Sequence, residues 1–171
     1  MPAKLHVTPV TPEIAPQVRA LRVAAEQYCY VGDVEANLIE AEADPNSDAM
    51  AIVLDGRVVG FYRIDLAPCT LGRQQFGGTC AALRGMLVDR SLQGGGIGTR
   101  ALIACCEDLQ RRHPQLQLLA LTVNCGNGCA IKAYRKAGFV DSGELYFGGR
   151  SGPQHLMLRR LHPAGMGKSA A

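Results

Sequence analysis

The sequence predicts a single α/β domain built on a mixed sheet, and three observations carry that expectation. An apolar, strand-like run, 80–88, enters a glycine-rich loop that opens directly into an amphipathic helix. Two alternating runs, 49–53 and 58–64, flank Asp55-Gly56, the signature of a tight hairpin. After the loop helix, strand and helix signals alternate before two final strands, so the order is hairpin strands, then strand, helix, strand, helix, strand, strand. At 171 residues the chain is within the length of one domain and can bury roughly 70% of the surface its unfolded form exposes. The expected limits are residues 1–161 for the domain and 162–171 for a frayed tail of small residues.

Taken in order, Leu5, Val7 and Val10 alternate with Lys4, His6 and Thr8 as a half-buried first strand. Thr11 is the expected N-cap of a first helix with Pro12 at its first position, continued by Ile14, Val18, Leu21 and Arg22. Tyr28 to Val31 interrupts that pattern. A second helix, 34–43, turns Val34, Leu38 and either Ala41 or Ile39 inward and ends before Pro45, whose ring disfavours helical geometry in the preceding residue. The hairpin follows, then a turn-rich loop at 67–78. In the next strand Leu83, Gly85 and Leu87 alternate with Arg84, Met86 and Val88 until the turn formers Asp89 and Ser91.

Ile97, Ala101, Leu102, Cys105 and Leu109 form one apolar stripe on the helix after the loop, and His113-Pro114 stops it. Leu116, Leu118, Leu119, Leu121 and Val123 make a nearly all-apolar strand, the kind buried on both faces. Asn127 to Ala137 is the last helix, closed by Gly138 in left-handed geometry. Phe139 to Phe147 and His155 to Leu161 are the final strands, joined by a flexible loop at 148–153.

The loop Gln93, Gly94, Gly95, Gly96, Ile97, Gly98 is the centre of the functional pattern. Its backbone N–H groups precede a helix and lack intrahelical partners, and its glycines carry no Cβ to hold a phosphate away. Amides and helix dipole together suit a pyrophosphate. Spacing decides which one. A nucleotide triphosphatase loop needs Lys and then Ser or Thr after its last glycine, but Gly98 is followed by Thr99 and Arg100. Gly96, Gly98 and Ala101 fit a dinucleotide loop, but the next strand ends in Leu121, Thr122, Val123 and Asn124 with no carboxylate for a ribose.

Gln93, Gly96 and Gly98 in the pattern Q-x-x-G-x-G resemble the acyl-CoA pyrophosphate loop of the GNAT superfamily of N-acetyltransferases. Asn127, Ala130, Tyr134, Gly138 and Phe139 are similar to that family's N-x-x-A-x-x-x-Y-x-x-x-G-F. A shorter and less specific likeness, over 26–44 and 48–65, is to the N-terminal half of bacterial diamine and polyamine acetyltransferases. The resemblance implies a mixed, mostly antiparallel sheet with helices on both faces and a splayed central parallel pair, formed by the strands of 80–88 and 116–123.

It also implies acetyl-CoA as co-substrate, with no metal. The pantetheine arm would lie along the backbone of Met86, Leu87 and Val88, and the pyrophosphate on Gln93, Gly94, Gly95, Gly96, Ile97, Gly98 and Thr99. Asn127 would hydrogen-bond the arm, and Tyr134, two helical turns on and on the same face, would be the general acid for the leaving thiolate. Asn127 serves equally as a plain N-cap and Tyr134 as a core aromatic. Several relatives carry a Glu base where this chain has Thr122, which cannot accept the amine's proton. Water relayed to Glu26, Asp33 or Glu144 is the remaining route, and nothing in the sequence ranks these.

Charge distribution bears on the acceptor. Between Val23 and Gly56 lie eight acids, Glu26, Asp33, Glu35, Glu40, Glu42, Asp44, Asp48 and Asp55, and no Lys or Arg. They are either a solvated helix face or a field that draws a small cationic amine, held through Glu26 and Asp33. Peptide α-amines, amino acids and aminoglycosides are rival acceptors, and an idle acyl-CoA-binding module or a dinucleotide oxidoreductase are rival classes. The net charge of +3 is too small to argue for nucleic acid, and no apolar run approaches the ~20 residues of a membrane span. The N-terminus lacks the apolar core of a secretory signal, so a cytoplasmic location is expected. Seven cysteines without C-x-x-C, and four scattered histidines, support neither a disulfide framework nor a zinc site. Oligomeric state stays open, homodimers being common in the family.

Overall fold

The computed structural model describes residues 1–23, 33–66, 70–71, 74–75, 79–148 and 152–162. Glu26, Cys29, Cys69, the interruption at 28–31, the middle of the loop at 148–153 and the tail beyond 162 lie outside the described residues. In chain order the elements are β1 (Leu5–Pro9), α1 (Ala15–Arg19), α2 (Val34–Ala43), β2 (Ser47–Leu54), β3 (Arg57–Asp65), β4 (Thr70–Leu71), β5 (Gln74–Gln75) and β6 (Cys80–Val88), followed by a 3₁₀ turn (Arg90–Leu92). Then come α3 (Ile97–Arg112), β7 (Leu118–Asn124), α4 (Gly128–Lys136), β8 (Val140–Tyr146) and β9 (Gln154–Arg160).

Seven strands form one sheet in the order β1-β2-β3-β6-β7-β9-β8, and β4 pairs only with β5. Every neighbouring pair in the large sheet is antiparallel except β6 and β7. Both turn residues of the β2–β3 hairpin, Asp55 and Gly56, have positive φ, 48° and 81°, as a turn matched to strand twist requires.

The central parallel pair comes apart. β6 and β7 are in register only at Cys80–Leu118, Ala81–Leu119 and Ala82–Ala120, after which the strands part. The cause lies in β6: Phe61 faces Leu87 and Arg63 faces Arg84, so Gly85 and Met86 stand opposite Tyr62 alone. That is a β-bulge, and Gly85 makes it at φ 61°, where a side chain would be strained. β7 meanwhile stays paired with β9 along its whole length, Leu118–Arg160 to Asn124–Gln154.

Helices cover both faces. On one, Val18, Leu21, Val23 and Leu38 pack on Ala51, Val53, Phe61 and Leu87. On the other, Ile97, Ala101, Leu102, Cys105, Cys106 and Leu109 of α3 pack on Met50, Ile52, Ile64, Leu119 and Leu121, with Tyr134 of α4 against the same cluster.

The first helix departs from expectation. Thr11 does not cap it; its carbonyl instead accepts from the N–H groups of Ile14 and Ala15, and Ile14 is the N-cap of a helix of only 5 residues. Pro16 is the reason. In a helix begun at Pro12 its ring would strike a preceding carbonyl, whereas in the first turn it fits. The second helix has the expected bounds, with Leu38 buried and Ile39 57% exposed, which decides the inward choice against Ile39.

Candidate functional site

The glycine loop leaves its amides open at a helix start. Gly94 and Gly96 adopt left-handed geometry, φ 83° and 79°, and Gly96 is the N-cap of α3, with no side-chain capping bond. Gly98 has ordinary φ and nothing within 4 Å of where a Cβ would stand, so no packing in the protein requires glycine there. The first protein bond from the helix start is Arg100 N–H to the Gly96 carbonyl; among the described residues the amides of Ile97, Gly98 and Thr99 have no acceptor. Open N–H groups, a helix dipole and a bare surface are what a pyrophosphate needs. The Gln93 side chain turns back, its Nε2 donating to the Val88 carbonyl at 2.9 Å, which ties the loop to the end of β6.

The opening between β6 and β7 adjoins this loop. Met86, Leu87 and Val88 line it from β6, Leu87 turned to the α1/α2 face and Met86 and Val88 to the α3/α4 face. In a continuous sheet those groups would bond a neighbouring strand; where strands part, an extended ligand with amides takes that place.

Asn127 is the N-cap of α4, its Oδ1 accepting from Ala130 N–H at 3.3 Å, so the capping role is realised and its Nδ2 stays available. Tyr134 is half-buried, its ring edge-on to Phe139 with centroids 5.6 Å apart, and its hydroxyl forms no hydrogen bond among the described residues. Burial, with Cys105 nearby, pushes its phenol up to about 12. Burial likewise pushes the Cys105 and Cys106 thiols up, which takes them out of thiolate chemistry.

Thr122, half-buried on β7, faces Leu156 across the sheet. On the α1/α2 face Asp65 joins three groups: Ser47 Oγ donates to it at 2.9 Å, Arg63 lies 3.3 Å away, and Arg84 donates through Nε. Arg63 also holds Glu40 at 2.8 Å. Asp33 caps α2, its Oδ1 accepting from Glu35 N–H at 3.1 Å. Glu144 is exposed on β8. One pair was not legible in the sequence: His155 Nδ1 is 3.2 Å from Asp141 Oδ2, two residues 14 apart that meet only because β8 and β9 pair.

The acid-only segment does not stay unpartnered. Arg19 pairs Glu35 at 2.7 Å, Arg63 pairs Glu40, and Arg112 pairs Asp48 at 3.3 Å. Basic residues remote in sequence thus neutralise part of the field that the sequence alone suggested. No group of three or more His, Cys, Asp or Glu able to hold a metal occurs among the described residues.

A parted parallel pair, a glycine cradle at a helix start and a tyrosine-bearing helix beside the opening define an acyl-CoA transferase fold. The model of the acetyltransferase (GNAT) family matches residues 16–139, and the chain belongs to that family. It is an N-acetyltransferase with acetyl-CoA as co-substrate. Over 157 residues it is 25% identical to a probable spermine N(1)-acetyltransferase of Bacillus subtilis subsp. natto, covering 92% of this chain and 99% of the relative. Its fold is similar to the aminoglycoside acetyltransferase AAC(6')-Ib in complex with coenzyme A and kanamycin, at TM-score 0.75 and 18% identity over 92% and 95% of the two chains. It is also similar to spermidine N-acetyltransferase from Vibrio cholerae in complex with CoA and spermine, at TM-score 0.68 and 15% identity over 92% and 95%.

Proposed function

We propose that the acceptor is a small cationic amine of the polyamine class, and that the parted strands, the glycine loop and α4 form the site. The observation that carries the acceptor is the curated relative matched over 92% of this chain, which is a probable spermine acetyltransferase. The carboxylates of α2 and its cap support it.

Met86, Leu87 and Val88 hold the pantetheine amides, the amides of Gly94 to Thr99 with Gln93 hold the pyrophosphate, and Asn127 Nδ2 reaches the arm. Glu26, outside the described residues, and Asp33 hold a charged nitrogen of the acceptor. Chemistry then follows from what this chain supplies. The neutral amine nitrogen attacks the thioester carbonyl carbon, a C–N bond forms and the C–S bond breaks. Tyr134, kept protonated by burial, donates to the departing sulfur. After attack the nitrogen loses a proton, which water returns to the Tyr134 phenolate. Before attack the acceptor ammonium has already given one up to water, because Thr122 has no basic group to take it. An alkylammonium of pKa about 10.4 makes that deprotonation cost roughly 4 to 5 kcal/mol at neutral pH, so the rate rises with pH.

Free, buried Cys105 and Cys106 suit a reducing compartment, which supports a cytoplasmic location. A homodimer remains part of the proposal, supported by Val140, Leu145 and Phe147 exposed on and beside the edge strand β8. An amine panel assayed for released thiol tests the function: spermine, spermidine and diamines are expected to turn over faster than monoamines and peptide α-amines. An aminoglycoside preferred over every polyamine would reassign the acceptor, and no turnover with any amine would overturn the proposal.

A further inference from the structure

We infer that Asn37 is a substrate-positioning residue that receives the N–H of the attacking nitrogen above the β6 bulge. The inference rests on the site proposed above. Asn37 lies on α2, and a Cβ built on Gly85 would stand 3.0, 3.1 and 3.1 Å from its Nδ2, Cγ and Oδ1. Near-equal distances to all three atoms mean that the amide turns its face to the position a Gly85 side chain would take. Gly85 is therefore doubly required, by φ 61° and by this approach. The orientation of the amide is fixed, because Nδ2 donates to the Asp33 carbonyl at 3.0 Å and a carbonyl accepts only from a donor. Asn37 is half-buried, and its Oδ1, thereby turned the other way, forms no hydrogen bond among the described residues.

Its setting is what gives that oxygen a role. Gly85 and Met86 are the bulged residues, beside the opening between β6 and β7. α2 covers one face of the sheet and Tyr134 belongs to the cluster on the other. A thioester in the opening would thus meet its leaving-group donor from the α4 face and its nucleophile from the α2 face, where Asn37 Oδ1 is an acceptor for an amine N–H. A neutral amide oxygen holds the nitrogen without raising its pKa as a carboxylate would, so the lone pair stays available. Glu40, one turn further along α2, is held by Arg63 and does not compete for that position.

Three variants test this: Asn37→Leu, which keeps the shape and removes the acceptor, Asn37→Ala, and Asn37→Asp. Loss of one hydrogen bond to the amine should raise KM for spermine about ten-fold in Asn37→Leu and Asn37→Ala. Their melting-temperature shifts with acetyl-CoA should match wild type. Asn37→Asp should keep KM near wild type but move the acid limb of kcat/KM to higher pH, because a carboxylate favours the ammonium form. A wild-type KM in Asn37→Leu overturns the assignment, as does an acid limb unmoved in Asn37→Asp. Loss of the acetyl-CoA shift in step with activity would make Asn37 a packing residue of the bulge. A wild-type protein that shows no acetyl-CoA shift at all overturns the underlying site, and Asn37's role with it.

Discussion

Tyr134 has a ring fixed edge-on to Phe139 and a hydroxyl without a partner among the described residues, so replacing it tests the proton donor with little disturbance of packing. Tyr134→Phe is expected to keep the acetyl-CoA melting shift and to lower kcat by about 10²-fold, the lower end of general acid effects; an unchanged kcat would leave the residue as packing. Because burial pushes the phenol up to about 12, it stays protonated through ordinary assay pH, and kcat should show no alkaline fall from this group below about 10, the usual phenol value. The same shift has a stability sign. A folded value above the unfolded one contributes stability that is complete below about 10 and is lost as pH rises towards 12. Alkaline titration of Tm should therefore fall more steeply in wild type than in Tyr134→Phe. The place of Tyr134 on α4 was legible in the sequence because its neighbours recur at fixed helical spacing. Asn37 was not, since the feature that marks it is a glycine 48 residues away whose φ and neighbour only the folded sheet reveals.

At the scale of elements, Gly98 separates ligand demand from folding demand better than Gly96 does. Gly96 has φ 79°, so any side chain there strains the loop, whereas Gly98 has ordinary φ and open space around it. Gly98→Leu is expected to leave Tm without ligand near wild type and to remove the acetyl-CoA shift, about 2.7 kcal/mol of stabilisation at a hundred times Kd in wild type. Equal shifts in both proteins would detach the pyrophosphate from this loop. Near the other end of α3, Asp108 is 4% exposed and is held by Arg111 at 3.1 Å and Arg112 at 2.7 Å. Arg112→Met leaves a buried carboxylate with one exposed partner and should cost about 3 kcal/mol, measured by urea unfolding. Such elements were legible where pattern and backbone chemistry agree: the hairpin turn, α2, the loop and α3. α1 begins later than its sequence pattern suggests because Pro16 limits where a helix can begin, and that outweighs the cap offered by Thr11. The bulge in β6 escaped because its burial follows no alternation.

For the whole molecule, the sign and reach of the charge field decide how the acceptor arrives. The sequence showed acids without bases between Val23 and Gly56, but folding brings Arg19, Arg63 and Arg112 against Glu35, Glu40 and Asp48. What remains for a cation among the described residues is Asp33, Glu42 and Asp44 around α2, with Asp55 engaged by the Lys4 N–H. Attraction should therefore be real but small, and it should fall within a Debye length of about 8 Å at physiological salt. One unit charge acting across ~10 Å of water changes kcat/KM by up to roughly two-fold. Asp33→Asn should lower kcat/KM for diamines and spermine by about that factor, with the difference fading as salt rises. Arg19→Gln, which frees the Glu35 carboxylate, should do the reverse and raise it. Monoamines lacking a second charge should respond less to both changes. Indifference of every substrate to Asp33→Asn and Arg19→Gln would mean that the carboxylates of α2 are a solvated face and that the acceptor is chosen by contacts inside the opening.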